Sequence, residues 1–156
     1  MYTQEQLARR KASPWTRVVS ILAPTQFIAF IISFYFVLQF IVTNQGYFAA
    51  TVSVWIKISL LWAITLAGML WEKDMYGHYF MAREFFLEDC GNLVAMLTHN
   101  AYFIVQALGC SQRDVMLVML FAYCTYLFNF GQFMVKYFKS LRQRFALARE
   151  NGGWQE

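Results

Sequence analysis

The stretch FFLEDCGNLVAMLTHNAYFIVQALG, Phe85 to Gly109, is long and apolar enough to cross a bilayer, yet it carries Glu88, Asp89, Asn92, His99 and Asn100. A hydrocarbon core takes about 20 residues of helix. An ionisable group inside it is expensive to insert. Each polar side chain in this segment therefore needs a reason to be there, and the reason decides what kind of helical assembly the chain forms.

The flanking sequence places the segment in a membrane protein. The chain is 59% hydrophobic and only 14% charged, against about 25% charged in a soluble domain. Apolar runs cover about 18–42, 48–71, 85–109 and 115–138, each long enough to span. No short alternating segments of the kind that build a β-barrel are visible. The expected fold is all-α: a polytopic four-transmembrane-helix bundle forming one domain over 1–156, with a basic tail at 139–156. The first run exceeds the roughly 7–15 apolar residues of a signal peptide, and no small-x-small cleavage site follows it.

Charge sets the orientation. Arg9, Arg10, Lys11 and Arg17 precede the first run, and Lys136, Lys139, Arg142, Arg144 and Arg149 close or follow the last. The middle connection holds Lys73 and Arg83, whereas the other two connections hold only Arg113. Positive residues stay inside, so both termini and the middle loop are expected on the cytoplasmic face of the inner membrane. The basic ends suit anionic lipid headgroups. Nucleic acid is a poor partner, because no soluble module organises the charge. Cys90, Cys110 and Cys124 are odd in number and lack metal-ligand spacing, so neither a disulfide framework nor a metal box is indicated.

Local signals refine the elements. Ser13-Pro14 reads as a helix start with Ser as the cap. Pro24 predicts a kink. Thr43-Asn44-Gln45-Gly46 predicts a tight turn, and the tail after Lys139, basic and then Gly152-Gly153, is expected to fray.

The intramembrane polar residues fall into two layers. Toward the cytoplasmic side lie Glu88, Asp89 and Asn92, then Asn129, Gln132 and Lys136, with Glu72 at the end of the second run. Deeper, His99 lies about 16 Å beyond Glu88 along a helix, near the level of Lys57 and Asn100. Lys57 is about 13 Å from its outer end, far for snorkelling. Glu88, Asn92 and His99 are spaced by four and seven, and Thr125, Asn129, Gln132 and Lys136 by four, three and four, so each set shares a helix face. The expectation is an internal polar cleft open to the cytoplasm. Asn129 and Gln132 suit interhelical hydrogen bonding as well as a site. Glu72, Lys73 and Asp74 suit solvated interface charge. Glu88-Asp89 reads as a carboxylate pair sharing one proton, the state a general acid needs. His99 reads either as a satisfied helix contact or as an axial ligand to a metal carried by a bound molecule.

At these residues the chain resembles the 3-vinyl (bacterio)chlorophyllide hydratases. The resemblance runs from about Tyr2 to Lys139 and rests on Ser13-Pro14-Trp15-Thr16, Ile21 to Phe27, Ala50-Thr51-Val52-Ser53 with Lys57, Trp71-Glu72-Lys73, Phe85 to Asp89, His99-Asn100-Ala101-Tyr102 and Asn129 to Phe133. The chain departs from the family pattern at Leu87, where an aromatic is expected, and at Asn100, where Thr is expected. The resemblance implies addition of water across the 3-vinyl group of a chlorophyllide-type tetrapyrrole, giving a 3-(1-hydroxyethyl) product in bacteriochlorophyll biosynthesis. No cofactor is implied beyond the magnesium that the substrate carries. On this reading Glu88 or Asp89 is the acid, and the other carboxylate, or Glu72, activates water. Asn92, Asn129 and Gln132 hold that water or the ring's keto groups. His99 ligates the substrate's magnesium. Lys73, Arg83 and Lys136 are candidates for the propionate, with Lys57 in the deeper substrate layer. So large a ligand also suits a homo-oligomer. Two competing readings are a small proton-coupled transporter and a haem- or quinone-binding anchor subunit. The first usually shows internal repeats or broken helices. A bis-histidine haem needs a second intramembrane His. The sequence shows neither.

Overall fold

A computed structural model describes the backbone of residues 9–151, and the side chains of all of these except 143, 144 and 146–151. Among the described residues there are four long helices and no strand: α1 Pro14–Thr43, α2 Tyr47–Tyr76, α3 Phe86–Ala107 and α4 Gln112–Asn151. A helix rises about 1.5 Å per residue. The 30 residues of α1 and of α2 therefore exceed a bilayer core of about 30 Å. The helices α1 and α2, and α4 over Gln112–Arg142, are long and apolar enough to cross a membrane. Helix α3 has 22 residues with Glu88 and Asp89 in its first turn, and does not reach the same apolarity.

The helix ends follow local chemistry. Pro14 opens α1, where a missing N–H costs nothing. Ser13 takes the cap position but makes no capping bond. Its hydroxyl instead donates to Asp74 Oδ2 at 2.6 Å, so the expected cap ties α1 to the end of α2. The tight turn lies where expected: Asn44 adopts a left-handed conformation at φ 54°, and Gly46 follows at φ 82°. Gly77 closes α2 at φ 81°, and its N–H returns to the Lys73 carbonyl at 2.9 Å. Only glycine adopts this backbone without strain. The tail departs from expectation, because α4 continues as helix through 139–151. Its 40 residues give about 60 Å of rod, so the end projects well past any bilayer. Gly152-Gly153 lies outside the described residues.

Two helical hairpins, α1 with α2 and α3 with α4, pack along their lengths. The face of α1 against α4 joins them, and of the four neighbouring pairs α2 and α3 pack least closely. Aromatic rings fill the joint. Phe27 stacks on Phe130 with centroids 4.7 Å apart, and Phe30 meets Tyr126 at 5.1 Å and Tyr123 at 5.5 Å. Val37, Val54, Leu61, Met116 and Met119 complete the core. Large apolar side chains such as Ile21, Ile28, Phe48, Leu97, Phe121 and Phe128 stay exposed around the outside. That is the pattern of helices solvated by lipid. The start of α1, the end of α2, the start of α3 and the later part of α4 meet at one end of the bundle, around the 77–85 connection.

Candidate active site

The carboxyl that lies across from Asp89 is Glu72 of α2, while the adjacent Glu88 points to another partner. Asp89 and Glu72 face each other across the α2–α3 seam, close enough for each to act on the other's charge. Both are buried, at 4% and 5% exposed. Two carboxylates buried side by side repel each other, which favours a proton on one of them. Each also accepts a backbone N–H from the connecting loop: Met81 donates to Asp89 Oδ2 at 2.8 Å, and Ala82 to Glu72 Oε2 at 3.2 Å. The reason for the changed pairing is helical phase. Consecutive residues on a helix diverge by about 100° and do not face each other. Asp89 turns toward α2, and Glu88 turns toward α4. Of the three charges closing α2, Lys73 and Asp74 are exposed as expected for interface residues, and Glu72 is the one buried.

Glu88 pairs with Lys136 of α4 at 3.1 Å. The same ammonium donates to the Glu84 carbonyl and lies 3.5 Å from the centroid of the Phe85 ring. Lys136 therefore clamps the loop from the α4 side. Lys73 donates to the Tyr79 hydroxyl and caps its ring. Both Lys73 and Arg83 are exposed at this end.

Between the pair and the bundle centre lies an amide cluster. Asn92 exchanges hydrogen bonds with Thr65 of α2 at 3.2 and 3.4 Å. Asn129 and Gln132, from α4, leave Oδ1 and Oε1 without a partner among the described residues. Gly91 makes room for them. A Cβ there would stand 2.2 Å from Gln132 Oε1 and 2.8 Å from Asn129 Oδ1. Gly91 was not singled out in the sequence, although a small residue inside a polar membrane helix is the usual mark of close helix approach.

Deeper still, Lys57 and His99 are both fully buried. Lys57 Nζ lies 3.5 Å from the Tyr126 ring centroid and has no hydrogen-bond acceptor among the described residues. His99 Nδ1 contacts the Ala95 carbonyl at 2.7 Å. A carbonyl only accepts, so the proton sits on Nδ1 and Nε2 keeps a free lone pair. That lone pair has no partner among the described residues. Asn100 bridges the seam at 3.4 Å, accepting from Trp62 Nε1. The stripe of Glu88, Asn92 and His99 thus divides: Glu88 contacts α4, Asn92 contacts α2, and His99 enters the core.

A family profile for 2-vinyl bacteriochlorophyllide hydratase matches residues 2–139. The chain belongs to the 2-vinyl bacteriochlorophyllide hydratase family. A protein of that description from Rhodobacter capsulatus is 44% identical over 154 residues, covering 98% of this chain and 88% of the relative. One from Cereibacter sphaeroides is also 44% identical, covering 87% of this chain and 85% of its own length. The resemblance drawn from the motifs is thereby confirmed across almost the whole chain. No solved structure matches.

Proposed function

We propose that this membrane protein hydrates the vinyl group of a bacteriochlorophyllide-type substrate, with Glu72 and Asp89 supplying the acid and the base. Family membership, and two relatives named as hydratases of that vinyl group, support the reaction. The observation that carries the site is the buried Glu72–Asp89 pair, brought together from two helices. Vinyl hydration needs a proton for the terminal carbon, a water for the inner carbon, and a base for that water. The conjugated ring delocalises the cation between the two steps. A pair sharing one proton is matched to that sequence.

The substrate lies along the α2–α3 seam. Support comes from the packing: of the neighbouring helices these two pack least closely, and the bonds across the seam at Thr65–Asn92 and Trp62–Asn100 are long, at 3.2–3.4 Å. The half-exposed Trp55 and Trp62 flank it. Asn92, Asn129 and Gln132 then hold water or a ring keto group. The free Nε2 of His99 is the imidazole nitrogen available to the substrate's magnesium, with Lys57 beside it. Lys73 and Arg83 at the open end suit the propionate. Helix α3 spans as the fourth crossing, both termini are cytoplasmic, and the loop end faces the cell interior of the inner membrane.

The test is spectral. Hydration takes the vinyl group out of conjugation, so purified protein given a vinyl chlorophyllide shifts the long-wavelength band to the blue. A transporter or an anchor subunit leaves the spectrum unchanged, and that outcome would overturn the proposal.

A further inference from the structure

The 77–85 loop contributes more than a connection. Met81 sits in the left-handed region at φ 60°, a conformation that non-glycine residues seldom adopt. With Met81 in this conformation, the successive N–H groups of Met81 and Ala82 reach carboxyls on two different helices. The two contacts are unequal. The one to Asp89 is 2.8 Å and the one to Glu72 is 3.2 Å, and the closer donor favours negative charge on its acceptor more strongly. The helix ends act in the same sense. Asp89 lies in the first turn of α3, where the helix dipole is positive. Glu72 lies near the close of α2, where the dipole is negative and an added negative charge is disfavoured. The other charges at the pair are Lys136 of α4 and Glu88 of α3, which are engaged with each other. Lys73 and Asp74 of α2, with Arg83 and Glu84 of the loop, stay exposed.

We infer that the loop amides of Met81 and Ala82 fix the placement of the shared proton, holding Asp89 ionised as the base and leaving Glu72 protonated as the acid. Met81 is a positioning residue in this scheme, because it acts through Asp89. The catalytic meaning rests on the hydratase reading above; the proton's location does not.

The step balances. Glu72 gives its proton to the terminal vinyl carbon, and the C=C π pair forms the new C–H bond. The cation left on the inner carbon takes the oxygen of water, and that water's proton passes to Asp89. The pair now carries its proton on the wrong member. Transfer from Asp89 to Glu72 restores the starting state with no exchange with bulk solvent.

Infrared spectroscopy of the resting protein at neutral pH tests the placement without turnover. A buried protonated carboxyl shows its own C=O stretch. Incorporating glutamate carrying ¹³C at the side-chain carboxyl is expected to shift that band, and aspartate carrying ¹³C there to leave it in place. Glu72→Gln is expected to remove the band. Asp89→Asn is expected to retain it. Met81→Val, which disfavours the left-handed backbone, is expected to make the band partly sensitive to labelled aspartate, whereas Met81→Gly leaves it with glutamate. A band that follows aspartate in the unaltered protein, or no band at all, overturns the inference. The labelling arms need no substitution and so survive any failure of a variant to fold. The spectral assay of turnover separately judges the hydratase reading.

Discussion

The two polar layers of this bundle are built on opposite rules. At the loop end the charged groups are matched: Glu72 with Asp89, both carboxyls with loop amides, and Glu88 with Lys136. In the deep layer the polar atoms are left over. Lys57 Nζ and His99 Nε2 have no hydrogen-bond partner among the described residues. A buried polar atom without a partner costs about 1–3 kcal/mol, so nature keeps such atoms where something else benefits. On the proposed reading, the first layer serves proton transfer and the second contacts the substrate. Both layers lie beside the seam where α2 and α3, of the neighbouring helices, pack least closely.

The largest expected effect breaks the first layer. Glu72→Gln or Asp89→Asn should each lower kcat by about 10²–10⁴, the usual worth of a general acid or base. The double variant should be little worse than either single one, since the two act as a unit. Following the blue shift with time measures all three. Additive losses would mean that the residues do not work together.

The second layer should answer with opposite signs in stability and activity. Lys57→Met removes an unpartnered buried group and keeps the volume. It should raise stability by about 1–3 kcal/mol, seen as a higher unfolding temperature in detergent. Turnover should fall by about tenfold, the equivalent of one lost contact of about 1.4 kcal/mol. Loss of stability in this variant would show that Lys57 is a structural member of the core.

Much of this contrast was legible in the sequence, and what was not has a physical cause. Apolar runs located the four helices, and the Asn44–Gly46 turn followed from residue type. Counting depth at a fixed rise per residue brought Lys57 and His99 into one layer, because distance along a helix needs no knowledge of its neighbours. Direction around a helix does. Glu88 and Asp89 are near enough for charge to act between them, but the turn of the helix points them apart, Glu88 to Lys136 and Asp89 to the loop amide of Met81. Choosing Glu72 as the true partner requires knowing that the end of α2 meets the start of α3. Ser13 shows the same limit: its place at the helix start was readable, but its bond to Asp74, sixty-one residues away, was not. The left-handed backbone at Met81 has no residue signature at all.

A smaller effect is expected where the layers join. Gly91→Ala puts a Cβ against Gln132 Oε1 and Asn129 Oδ1. Those atoms are the free ends of side chains and can swing aside. The cost should fall at the low end of overpacking, about 1 kcal/mol. Turnover should drop by about fivefold at most, through displacement of the amides that hold water or substrate. A larger loss of stability would mean that the α3–α4 backbones themselves are forced apart.

The smallest expected effect is the most discriminating, because it sets two adjacent residues of like charge against each other. Glu88→Gln removes the partner of Lys136, but the ammonium keeps the Glu84 carbonyl and the face of Phe85. Ion pairs that remain partly open to solvent contribute about 0–1 kcal/mol, so turnover should stay within about threefold of the unaltered protein, a factor worth well under 1 kcal/mol. One residue further on, Asp89→Asn should cost at least about a hundredfold. The difference arises from direction alone: a turn of about 100° sends one carboxylate to a clamp on α4 and the other into the pair with Glu72. Equal losses at the two positions would return the acid to the Glu88-Asp89 dipeptide and remove Glu72 from the reaction.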